Sequence, residues 1–206
     1  MENFTITLPH TVNPTLQLPD PELVQYYEDQ ANRVIWILDE INNEGYEWID
    51  FIIRCNREDA GKPIEERKPI KCYIANHGGS VEVTNTLVDV IEASRTPIYA
   101  YAIGMCASAA SMIFLACDKR FAMRNATFMF HQGSCSGLSG TFSEIAAFME
   151  DYQKEIQHLT EFYKTHTTFP PEVIEEKLQN DWYIYPEEGL ENGVIDAIVT
   201  DLDELL

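Results

Sequence analysis

Gly104-Met105-Cys106-Ala107-Ser108-Ala109-Ala110-Ser111 joins a stretch of strand composition to one of helix composition. A serine at such a junction stands on a sharp turn with its hydroxyl out of the sheet. The helix behind it offers free N–H groups and partial positive charge, and both stabilise an oxyanion. Taken alone, the same stretch is equally an ordinary small-residue packing face. Gly78-Gly79 ends another apolar run, and two glycines let backbone N–H groups approach a ligand closely. Alone, that pair is a plain turn. Set beside Ser108, it can supply a two-donor oxyanion hole made of the Gly79 and Ala109 N–H groups. His131 follows Thr127-Phe128-Met129-Phe130 and is a candidate general base or a satisfied core histidine. Asp181 precedes Trp182 and is a candidate partner for the imidazole or a solvated loop acid.

Other reactive residues form weaker constellations. Cys106 lies two residues before Ser108, and Cys135 four residues after His131, but local Cys-His spacing is not a dependable nucleophile-base signature. His77 stands beside Gly78, without a cluster of His, Cys and acid at metal-ligand spacing. No glycine loop of the phosphate-cradling kind occurs, so the chain is not expected to hydrolyse ATP itself. No metal and no organic cofactor is expected.

The elements that must hold these residues alternate. Arg33–Leu38 reads as a buried strand, and Trp48, Ile49, Phe51, Ile52 and Ile53 as a helix. Residues 56–69 read as a charged surface loop. Ile70–Ala75 reads as a strand, and Val81–Ala93 as a helix with Val81, Val88 and Ile91 inward. Pro97–Ile103 reads as a strand, Ala107–Cys117 as a helix and Thr127–Phe130 as a short strand. Strands alternating with helices predict an α/β fold with a largely parallel sheet. Thr141 and Glu144 have capping-box spacing at the start of the longest helix, which runs to about His166. Pro170-Pro171 opens another helix, and Trp182–Tyr185 and Val194–Val199 read as closing strands. Residues 1–31 carry Pro9, Pro14, Pro19 and Pro21 and read as an N-terminal arm, with residues 32–206 as one domain.

Composition bounds what this site can serve. The chain has 206 residues, 45% hydrophobic and 23% charged, enough for one sizeable core. Acids outnumber bases 34 to 14, and the net charge of -20 argues against binding nucleic acid or anionic lipid. The five cysteines contain no CxxC pair and no signal peptide precedes them, so reduced thiols and a cytoplasmic location are expected. Thr96–Cys117 is uncharged and long enough to span a bilayer. Gly104, Ser108 and Ser111 interrupt it, and it reads instead as a buried strand, a tight turn and a buried helix.

Four segments in order resemble the Clp protease proteolytic subunit family, over about Arg33 to Val199. Ile74-Ala75-Asn76-His77-Gly78-Gly79 resembles the family's Ile-Asn-Ser-Pro-Gly-Gly, with His77 where proline is usual. Gly104-Met105-Cys106-Ala107-Ser108 resembles Gly-Gln-Ala-Ala-Ser, and Phe128-Met129-Phe130-His131-Gln132 resembles Val-Met-Ile-His-Gln. Glu187-Glu188-Gly189 and Gly193-Val194-Ile195-Asp196 resemble Glu-Glu-Ala and Gly-Leu-Ile-Asp. The resemblance implies Ser108 as nucleophile, His131 as base and Asp181 as the orienting acid. Registering on Pro186 instead would put Asn180 at the aspartate position. It also implies the crotonase-like ββα superhelix, with the long helix from Thr141 protruding as a handle.

By the same resemblance the chain is a serine endopeptidase that forms homo-oligomeric rings, two stacked heptamers in relatives. A separate ATP-driven unfoldase of the AAA+ class would feed it unfolded proteins and peptides. Asn180 stands where many members carry an arginine that helps join two rings. Two further readings stay open: a phage-type head-maturation peptidase of the same fold, and a non-hydrolytic Clp-like or crotonase-fold binding subunit. Along the long helix Phe142, Ile145, Phe148, Met149, Tyr152, Ile156, Leu159, Phe162 and Tyr163 recur at helical spacing. A stripe of that length is expected to be an interface between copies.

Overall fold

The computed structural model describes residues 20–135 and 137–205. Most of the expected arm lies outside those residues. The part inside is a helix, α1 (Pro21–Asn32), which Pro21 opens without harm because a first-turn residue needs no N–H partner. Asp20 caps it by accepting from the Glu22 N–H at 3.0 Å. Arg33 ends it in the left-handed conformation, φ 59°.

The elements that follow are β1 (Val34–Ile37), α2 (Gly45–Glu58), β2 (Ile70–Asn76), α3 (Val81–Ala93), β3 (Ile98–Ala107) and α4 (Ala109–Ala116). Then come β4 (Lys119–Met123), β5 (Thr127–Phe130), α5 (Phe142–His166), α6 (Pro171–Lys177), β6 (Trp182–Ile184), α7 (Pro186–Glu191) and β7 (Ala197–Val199). Strands β1-β2-β3-β4-β7 lie side by side, every pair parallel. Such a sheet is covered by crossover helices, and its strands read as apolar runs.

Strand β3 is the hinge of the design. Its first half, Tyr99–Ala102, pairs with β4, and its second half, Met105–Ala107, pairs with β5. Strand β6 then adds to β5 in antiparallel register, Phe128 against Ile184 and Phe130 against Trp182. The chain thereby exchanges one neighbour for another at Gly104, where an added Cβ would come within 3.2 Å of the Ala75 Cβ. The branch of the sheet made by β5 and β6 carries His131 and Asp181 at its end.

Three readings of the sequence need correction. Val81 does not face inward: it is 51% exposed, while Val83, Leu87, Val88 and Ile91 fill the core from α3. Residues 56–69 are not all surface loop. Helix α2 continues to Glu58, and Asp59 and Arg67 are buried. Asp59 is buried against Arg33, whose guanidinium takes both its oxygens, Nη1–Oδ2 at 2.5 Å and Nη2–Oδ1 at 3.1 Å, and Arg67 donates to the Lys62 carbonyl. Thr96 Oγ1 and Lys62 Nζ satisfy the same carboxylate. Strand β4 and helix α7 were not anticipated, because Lys119 and Arg120 break the apolar pattern of the one and Gly189 that of the other.

Helix α5 begins with the expected capping box, Thr141 and Glu144 bonding reciprocally. Only Phe162 and Tyr163 in it are buried, and Phe142 is 88% exposed. The helix therefore anchors at its C-terminal end and projects from the body.

Candidate active site

Three strand ends converge. Ala107 pairs with Met129 in parallel register, so the residue after β3, Ser108, stands beside the end of β5. The Ser108 N–H donates to the Met129 carbonyl at 2.8 Å. Phe130 opposes Trp182, so the next residues along, His131 and Asp181, also face each other. Pairing alone brings all three to one edge of the molecule.

Ser108 has φ 53° and ψ -126°, a backbone conformation that an L residue adopts only under constraint. Helix α4 begins at the next residue, as expected for a nucleophile presented on a strand-to-helix elbow. Its Oγ lies 2.6 Å from Nε2 of His131. The other imidazole nitrogen, Nδ1, lies 3.5 Å from Oδ1 of Asp181, long for a hydrogen bond but within ion-pair range. The Asp181 side chain is 58% exposed and that of His131 19%. Asn180, the alternative in sequence, uses its N–H to close α6 on the Lys177 carbonyl, whereas the Asp181 carboxylate is paired with His131.

Gly78 and Gly79 lie against the elbow. A Cβ on Gly78 would fall 2.8 Å from the Ser108 Cβ and 3.2 Å from the Ala109 nitrogen. A Cβ on Gly79 would fall 2.1 Å from the Ile41 carbonyl oxygen, and φ there is 154°. Ile41 donates to the Gly78 carbonyl and accepts from Ser80, which turns the intervening Gly79 N–H to the opposite side. Neither the Gly79 nor the Ala109 N–H has an acceptor among the described residues. Two unengaged donors near a strained serine are what an oxyanion requires.

The sequence missed the support behind the elbow. Ser111 Oγ donates to the Ser108 carbonyl at 2.6 Å and lies 3.0 Å from the Tyr163 hydroxyl. The Tyr163 ring stacks on Phe130, centroids 4.3 Å apart. Ser111 sits three residues after Ser108, the spacing of one helical turn, and that was the available signal. A cavity of about 230 Å³ opens beside Ser108 and His131, walled by α3, α4 and α5. A larger hollow of about 650 Å³ between α1, β1 and α2 lies away from this chemistry.

The neighbouring thiol does not compete with Ser108. Cys106 is fully buried, and burial pushes its thiol well up, away from the reactive thiolate. Cys135 is exposed and His77 is exposed. Among the described residues no group of three or more His, Cys, Asp or Glu could hold a metal ion. No described helix is long and apolar enough to cross a membrane.

The sequence pattern of the family described as Clp protease matches residues 26–201. The chain belongs to the Clp protease family. It is 30% identical over 148 residues to the ATP-dependent Clp protease proteolytic subunit of Deinococcus radiodurans, covering 71% of each chain. It is 30% identical over 140 residues to the subunit of the same name from Paracoccus denitrificans, covering 67% of this chain and 70% of that one. In three dimensions it is similar to a ClpP1 mutant from Listeria monocytogenes, with TM-score 0.74 at 23% identity, covering 89% of this chain and 99% of that one. The fold is the crotonase-like one, and the protein is a Clp-type serine peptidase.

Proposed function

We propose that Ser108, His131 and Asp181 are the catalytic triad, with the Gly79 and Ala109 N–H groups as the oxyanion hole. The observation that carries this reading is the 2.6 Å contact between Ser108 Oγ and His131 Nε2 on a strained elbow. His131 accepts the hydroxyl proton as Oγ bonds to the peptide carbonyl carbon. The carbonyl oxygen becomes an oxyanion facing the two N–H groups. The imidazolium returns the proton to the leaving amine, and an acyl-enzyme remains. Water then attacks the acyl carbon, His131 taking its proton, and the acid product leaves as Ser108 regains its hydrogen.

The chain is read as the proteolytic subunit of a ring-forming peptidase, with residues 1–31 as an arm and 32–206 as the catalytic domain. Helix α5 supports this reading, since it projects apolar side chains including Phe142, Phe148 and Met149 into solvent. Relatives named ATP-dependent support a separate ATP-driven unfoldase of the AAA+ class as partner, and the proposed assembly is two stacked heptamers in the cytoplasm that receive unfolded chains. Substrate would bind as an extended backbone along Gly79 and the irregular stretch after His131.

Ser108→Ala decides the central point. The variant is expected to lose fluorophosphonate labelling and nearly all hydrolysis of a fluorogenic peptide. Labelling that persists would remove Ser108 from the mechanism.

A further inference from the structure

The cavity beside Ser108 is built from two kinds of surface. Met112, Leu159 and Tyr163 give it apolar walls. Asn85, Gln132, Ser134, Tyr152, Glu155 and His158 supply polar groups beside Ser108 and His131, and the Glu155 side chain has no hydrogen-bond or ion-pair partner among the described residues. Glu155 is exposed on α5, three residues from His158, so it stands at the rim rather than within the apolar part. No lysine or arginine lines the cavity. The surrounding protein carries a net charge of -20.

An apolar wall with an unpaired carboxylate at its rim fits one shape of substrate side chain. It must have a hydrocarbon stem long enough to cover Met112 and Leu159, and a cationic head that reaches solvent beside Glu155. Lysine and arginine have that form, and both lay their stems on apolar surface while keeping the charge wet. We propose that Glu155 is a specificity-determining residue which favours lysine or arginine in the substrate residue that donates the scissile carbonyl. This rests on Ser108 being the nucleophile, because the cavity matters through its position beside that hydroxyl.

The contribution expected of a carboxylate left partly in water is modest, of the size of an exposed ion pair. Two fluorogenic peptides differing only at that residue, lysine against norleucine, isolate the charge from the stem. The ratio of their kcat/KM values is expected to fall about three- to five-fold in Glu155→Gln, and further in Glu155→Lys. Glu150→Gln, on the same helix but paired with Lys154, is expected to leave the ratio alone. An unchanged ratio in Glu155→Gln overturns the proposal, and so does an equal fall in Glu150→Gln, which would assign the effect to the general field. Ser108→Ala run on both peptides separates the two levels of argument. Hydrolysis that survives in it overturns the nucleophile itself, whereas hydrolysis that vanishes while the ratio ignores Glu155 overturns only the specificity.

Discussion

Tyr163 donates its hydroxyl to Ser111 across 3.0 Å, and Ser111 in turn donates to the carbonyl of Ser108. Both side chains are fully buried, and burial pushes the phenol up, so Tyr163 keeps its proton. One residue near the root of the projecting helix therefore reaches the backbone of the elbow through a single intermediary. The same ring stacks on Phe130, the residue before His131. Tyr163→Phe is expected to keep the stack and lose the donor. It should cost about 1 kcal/mol of stability and lower kcat with little change in KM. Tyr163→Ala should cost about 3–5 kcal/mol, as large aromatic truncations in cores do. Thermal unfolding and steady-state kinetics on the same preparations check both, and an unchanged kcat in Tyr163→Phe would remove the positioning role.

The Asp181 carboxylate faces the imidazole from 3.5 Å. Distances of this kind shorten when substrate fills a site. Asp181→Asn is expected to lower kcat on the order of 10³–10⁴-fold by leaving the imidazole in the wrong tautomer. Asn180→Ala should have little effect. The reverse pattern would move the acid one residue along the chain.

Gly79→Ala tests the oxyanion donors. Its Cβ would meet the Ile41 carbonyl at 2.1 Å, so the loop must shift and carry the N–H with it. A fall in kcat on the order of 10²–10³ is expected, the size found for losing one such donor. Near-wild-type turnover in a folded Gly79→Ala protein would show that the N–H is not used.

Stability should depend on acid through Asp59. The Arg33 guanidinium holds its carboxyl well below the usual carboxylate range, with Lys62 and Thr96 adding to the effect. A carboxyl depressed in the folded state stabilises above its unfolded pKa, near ~3.9, and that contribution is lost as pH falls further. The melting temperature is therefore expected to drop below about pH 4. Asp59→Asn should flatten that drop and cost about 3 kcal/mol at neutral pH, because it takes the buried carboxylate from Arg33 and leaves only the exposed Glu58 as counter-charge. A variant with the same acid slope as the wild type would point to other carboxylates.

Ser108 and His131 were legible as candidates because each follows an apolar run, where the pattern marks the strand and the next residue lies at its end. Asp181 was harder. Its position follows from the antiparallel register of β5 and β6, and register is a pairing between distant segments that no local pattern records. The division of β3 between two partners was hidden for the same reason, and the predicted strand stopped at Ile103 where the real one runs on to Ala107. Asp59 and Arg67 looked like solvated charges because their partners are distant in sequence, Arg33 being 26 residues from Asp59 and Thr96 29 residues from Arg67. The outward turn of Val81 was lost to a periodicity that Val83 and Leu87 satisfy better.

Ser108 is one of two non-glycine residues with positive φ among the described residues. Its peptide groups are gripped on both sides, the N–H by Met129 and the carbonyl by Ser111. At this position durability and turnover pull in opposite directions. Glycine would relax the backbone and make a sturdier protein, yet it would carry no hydroxyl.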